Sequence, residues 1–84
     1  MNLLTYRNEI DALDKQIIAL LEQRFAVVEQ VGKYKQKADL GVQDLKREQA
    51  VLEGIAMVVH NRQLVQSIQH IYEQILAESR AWEY

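Results

Sequence analysis

Apolar residues recur at Ile10, Leu13, Ile17, Leu20, Leu21, Val28 and Val31, mostly three or four positions apart. Such steps return to the same side of a 3.6-residue helix, so the spacing predicts one long amphipathic helix. No proline interrupts it. The first breaker is Gly41 in ADLGV, and Asp44 just beyond carries the short acceptor side chain of an N-cap. A second apolar face runs through Val51, Leu52, Ile55 and Val58, and HNRQ (60–63) reads as a turn. A third face runs through Leu64, Ile68, Ile71, Tyr72, Ile75 and Leu76. The pattern predicts an all-α domain over residues 1–84, with helices at about 4–37, 44–59 and 62–82.

The predicted lengths are unequal. At 1.5 Å per residue the first helix is roughly 50 Å long, against roughly 22 Å and 30 Å for the others. Two short helices cover that stripe only by lying end to end along it, whereas a second copy of the chain covers it directly. A chain of 84 residues also buries little surface by itself. The expectation is an intertwined homodimer with antiparallel first helices, two-fold pairs being the commonest closed assembly. Gly32 lies inside the first helix at a cost of about 1 kcal/mol relative to alanine. A close neighbouring backbone or a bound ligand justifies it; a tolerated defect is the alternative.

Charged residues continue the apolar faces. Arg7, Arg24 and Lys35 share the register of the first stripe. Arg7 and Lys35 are roughly 42 Å apart along one helix, so a single chain cannot bring them together. With a two-fold near residue 19, position i faces 38 − i, and Arg7 of the partner subunit sits opposite Val31, between Arg24 and Lys35. The second helix places Asp44, Arg47 and Glu48 ahead of Val51 and Ile55. In the third, Ile68, Tyr72 and Ile75 continue to Ser79 and Glu83.

Taken singly, each has a plain explanation. An arginine beside a core stripe ordinarily snorkels, Asp44 caps its helix, Arg47 pairs with it at i,i+3, and Glu83 is a solvated helix end. Converging from three helices and two chains, they need another. Uncompensated buried charge is expensive, so an excess of cations in a pocket points to an anionic ligand.

Composition removes other chemistries. A net charge of −2 argues against a nucleic-acid surface, and the absence of cysteine excludes disulfides and thiolate metal sites and suits a reducing compartment. His60 and His70 lack ligand-spaced partners, so no metal is expected; nor is there a readable nucleophile–histidine pair or a glycine-rich phosphate loop. MNLLTYRNEID has no signal-peptide pattern and no stretch is apolar enough to cross a bilayer. A soluble cytoplasmic protein without nucleic-acid or membrane partners is expected. Trp82 and Tyr84 are expected to close a core edge or the dimer rim.

The segments RNEIDALD, LLEQR, VGKYK, VQDLKRE and ILAES together resemble the all-helical class of chorismate mutases, over nearly the whole chain. The resemblance implies an intertwined dimer of three-helix chains, each active site taking one arginine from the partner. It implies rearrangement of chorismate, a small dianion, to prephenate on the route to phenylalanine and tyrosine. That reaction is pericyclic and needs no nucleophile, metal or cofactor. By the same resemblance, Arg24 and the partner's Arg7 hold the carboxylates, helped by Arg47 and Ser79. Lys35 donates to the ether oxygen, Glu48 and the backbone near Asp44 take the ring hydroxyl, and Val31, Val51 and Leu76 form the apolar wall.

One position departs from many bacterial members, which carry glutamine where this chain has Glu83. A carboxylate repels the charge that develops on the ether oxygen, while a protonated carboxyl donates to it. Activity is then expected to rise as the pH falls. Two other readings remain: an isochorismate pyruvate lyase, which resembles the same fold, and a non-enzymatic helical dimerisation module whose charges set register. The Asp44, Arg47 and Glu48 set favours the mutase.

Overall fold

The side-chain oxygen of Asn2 accepts a hydrogen bond from the Thr5 backbone N–H at 3.0 Å and starts the first helix, α1, Leu3–Lys37. A computed structural model describes residues 2–41 and 43–83. Val42 of the VQDLKRE segment and the expected rim residue Tyr84 lie outside the described residues, as does Met1. Lys35 and Lys37 occupy the last turn of α1, where cations complement the helix dipole. The chain then reverses through Asp39 at φ 57°. The Leu40 N–H bonds to the Lys35 carbonyl at 2.7 Å and the Asp39 N–H to the Gln36 carbonyl at 3.2 Å. This is a Schellman closure with aspartate in the left-handed position usually held by glycine.

Asp44 caps α2, Leu45–Val58, by accepting from the Arg47 N–H at 3.0 Å. The other end is closed by Arg62, whose Nη1 donates to the carbonyls of Ala56 (2.5 Å) and Val59 (3.0 Å). These are carbonyls at the end of α2, where helices leave acceptors unmatched. Asn61 then accepts from the Gln63 N–H, and Arg62–Leu64 form a 3₁₀ turn before α3, Val65–Trp82. The third helix, expected from residue 62, thus starts with a tighter turn.

Among the described residues these three α-helices and the 3₁₀ turn are the regular structure. α3 is the shared partner: both α2 and α1 pack on it. The Gln69 side chain donates to the Leu52 carbonyl at 2.9 Å across the α2–α3 seam. Trp82 meets Phe25 edge to face, ring centroids 6.2 Å apart at 78°, which sets it at the edge of the α1–α3 seam.

The chain measures 55 × 24 × 16 Å, with a radius of gyration of 15.9 Å. A compact chain of this length has a radius of gyration of about 12 Å. The excess is α1, whose N-terminal part runs past the other helices. Ile10, Leu13, Ile17 and Leu20 each remain more than half exposed, forming an apolar stripe that this chain does not cover.

Gly32 is one of the few buried residues, and a close neighbouring backbone is its reason. A Cβ there would lie 2.1 Å from the Glu83 carbonyl oxygen and 2.9 Å from its carbonyl carbon. Only glycine lets the end of α3 lie against α1. Gly32→Ala gains about 1 kcal/mol of helix propensity but forces a backbone shift of the overpacking kind, which costs about 1–3 kcal/mol. A net loss of up to about 2 kcal/mol is expected in urea unfolding. A variant more stable than the parent would show that the end of α3 moves away at no cost.

Candidate active site

Arg24, Val28, Val31 and Lys35 follow one another at i, i+4, i+7 and i+11 and so face the same side of α1. Opposite them, the first turns of α2 present Asp44, Arg47, Glu48 and Val51, and the end of α3 presents Leu76, Ser79, Arg80 and Glu83. These residues, with Val27, line one cleft of about 400 Å³. It lies toward the C-terminal end of α1, where three helices supply walls and the long stripe gives way to charge.

The polar groups are held in order. Ser79 is buried, and its hydroxyl donates to the Ile75 carbonyl one turn back at 2.7 Å. That commits the proton and leaves Oγ as an acceptor, which takes a hydrogen bond from Arg24 Nη1 at 2.7 Å. Lys35 Nζ sits 2.9 Å from Glu83 Oε1, with side chains only 18% and 9% exposed. Arg80 Nη1 pairs with Glu48 Oε1, joining α3 to α2. The Arg47 guanidinium, on an exposed residue, makes no hydrogen bond or ion pair among the described residues. No buried side-chain nitrogen or oxygen among them lacks a partner.

Ten of the residues singled out in the sequence line this cleft: Arg24, Val31, Lys35, Asp44, Arg47, Glu48, Val51, Leu76, Ser79 and Glu83. Arg7 does not. It is exposed on α1, roughly 25 Å along the axis from Arg24. Sequence reasoning missed Val27, Val28 and Arg80 as lining residues. Arg80 stands outside the Ile75–Ser79–Glu83 line, but it lies one turn after Leu76 at i+4, a spacing that signals a shared face.

The expected excess of cations is smaller within one chain than the sequence suggested. Arg24, Lys35, Arg47 and Arg80 meet Asp44, Glu48 and Glu83, and two of the cations are already paired with carboxylates. Two guanidiniums from different helices remain without a carboxylate partner among the described residues: Arg24, bonded to a neutral hydroxyl, and Arg47. That is a site for planar anions, since guanidinium forks match carboxylates. Among the described residues no cluster of three or more metal-ligating side chains occurs, and no helix is long and apolar enough to cross a membrane.

The profile of chorismate mutase type II matches residues 6–84, a span that holds every residue of the cleft and Arg7. This chain belongs to that family. A bifunctional chorismate mutase/prephenate dehydratase of Aquifex aeolicus (strain VF5) is 30% identical over 77 residues, covering 84% of this chain and 21% of that protein. One of the same description from Buchnera aphidicola subsp. Schizaphis graminum (strain Sg) is 30% identical over 79 residues, covering 93% of this chain and 20% of that protein. The chain therefore spans about a fifth of the length of these curated relatives. As a type II chorismate mutase family member it has the all-helical, three-helix form that the hydrophobic period predicted.

Proposed function

We propose that this chain is a chorismate mutase, rearranging chorismate to prephenate as a cytoplasmic homodimer of aromatic amino-acid biosynthesis. The observation that carries the reading is the convergence of Arg24, Lys35, Arg47, Glu48 and Ser79 on one cleft of a chain from this family. The reaction breaks a C–O bond and forms a C–C bond in one pericyclic step, with no proton to move. What a protein contributes is conformation and charge. Arg24 and the partner's Arg7 hold the two carboxylates, helped by Arg47 and Ser79, and Val31, Val51 and Leu76 press the enolpyruvyl arm over the ring, restricting it to the reactive fold. Lys35 donates to the ether oxygen, which gains negative charge as the C–O bond breaks. Glu48 accepts the ring hydroxyl.

The open stripe of Ile10, Leu13, Ile17 and Leu20 supports the dimer. An antiparallel second copy covers it and carries its Arg7 to the wall beside Val31, between Arg24 and Lys35. That adds the cation that a single chain lacks.

The test is chorismate consumption by the purified protein with identification of the product, alongside isochorismate. Prephenate formation is the expected result. Pyruvate release from isochorismate without prephenate would make the chain a lyase. A folded dimer that turns over neither would leave the charges as a register device.

A further inference from the structure

The last turn of α3 divides its polar contacts between the other two helices. Ser79 accepts from Arg24 and Glu83 pairs with Lys35, both on α1, while Arg80 pairs with Glu48 on α2. Glu48 lies in the first turn of α2, ahead of the Gln69–Leu52 bond that ties the middle of that helix to α3. Arg80 therefore acts where α2 borders the cleft. Only one oxygen of Glu48 is engaged: Nη1 meets Oε1, and Oε2 makes no hydrogen bond among the described residues.

We propose that Arg80 is a positioning residue that sets the Glu48 carboxylate for the substrate's ring hydroxyl, an assignment that rests on the mutase reading above. A glutamate has three rotatable bonds, and a carboxylate that swings freely must be ordered when a hydroxyl binds, at the expense of affinity. Arg80 orders it beforehand and leaves Oε2 as the acceptor. It also supplies a cation to Glu48, so that Glu48 does not recruit Arg24 or Arg47 from the incoming carboxylates. Arg80 itself need not touch the substrate. Its side chain remains about one-third exposed, 35%, and its stem packs at the cleft rim, so an unbranched apolar replacement fits the same space.

The hydroxyl contact is made in the ground state and the transition state alike, so its loss belongs in KM. Arg80→Met is expected to raise KM for chorismate about tenfold and to change kcat by less than about threefold. Because a single Nη1–Oε1 contact carries the pair, Arg80→Lys is expected to recover most of that loss. The decisive comparison uses Glu48→Gln. If Arg80 works through Glu48, adding Arg80→Met to Glu48→Gln raises KM by less than about twofold further.

These constants are to be measured for the full chain together with thermal unfolding of each variant. Parent-like KM in Arg80→Met, even with a lowered Tm, would make Arg80 a structural residue and overturn the assignment. So would an undiminished effect of Arg80→Met in the Glu48→Gln background, which would put Arg80 on the substrate itself. A folded parent that does not consume chorismate overturns the mutase reading and this assignment with it. A parent that turns over chorismate with an inert Arg80 overturns this assignment alone.

Discussion

Arg24→Leu is expected to leave the chain folded and to lower kcat/KM roughly thirtyfold to several thousandfold. Arg24 is half-buried, and its guanidinium is fixed by a serine whose own proton is committed to Ile75. It is therefore oriented before any ligand arrives. Losing one side of a desolvated charge pair costs about 2–5 kcal/mol, because the carboxylate left behind has neither water nor partner. Leucine keeps an apolar stem against α3, so the fold has little reason to change. A dimerisation module would instead change its oligomeric state.

The same variant tests the crossed architecture. If each site joins Arg24 of one chain to Arg7 of the other, mixing Arg24→Leu with Arg7→Ala creates mixed dimers with one intact site. Statistical exchange should then restore about a quarter of parent activity from two inactive proteins. If Arg7 instead serves its own chain, every site in the mixture is damaged and nothing returns. Activity assays of the mixture after partial unfolding and refolding read the difference.

Much of this arrangement was legible because helices advertise themselves by period. The stripe on α1, the Asp44 cap and the faces of α2 and α3 follow from spacing and short-range chemistry, and the site residues lie on those same faces. The end of α1 was read less well. Gly41 is the obvious breaker, but the reversal happens at Asp39, an aspartate in a left-handed conformation that a Schellman closure holds. Gly32 stood out as an anomaly in a helix, yet its reason, the Glu83 backbone, is 51 residues away in sequence. Pairings between helices are not written in any local pattern. Nothing in the sequence matches Arg80 to Glu48, or shows that Lys35 and Glu83 neutralise each other before a ligand arrives. That is why a count of cations along the faces overstated the positive charge of one chain.

The Lys35–Glu83 pair leads to the second large effect: Glu83→Gln should rearrange chorismate faster than the parent near neutrality. The Glu83 carboxylate holds the ammonium at 2.9 Å and sets a negative charge beside the atom that must gain one. A glutamine removes that charge, frees Lys35 from its hold and supplies an N–H donor of its own. One well-placed donor to a developing oxyanion is worth roughly a hundredfold, so the variant should exceed the parent near neutrality by up to about that factor. The backbone seat of residue 83 against Gly32 is unchanged by the substitution, which keeps the comparison one of chemistry alone. A glutamine variant no faster than the parent near neutrality would assign Glu83 to fastening α3 on α1 and leave the ether oxygen to Lys35.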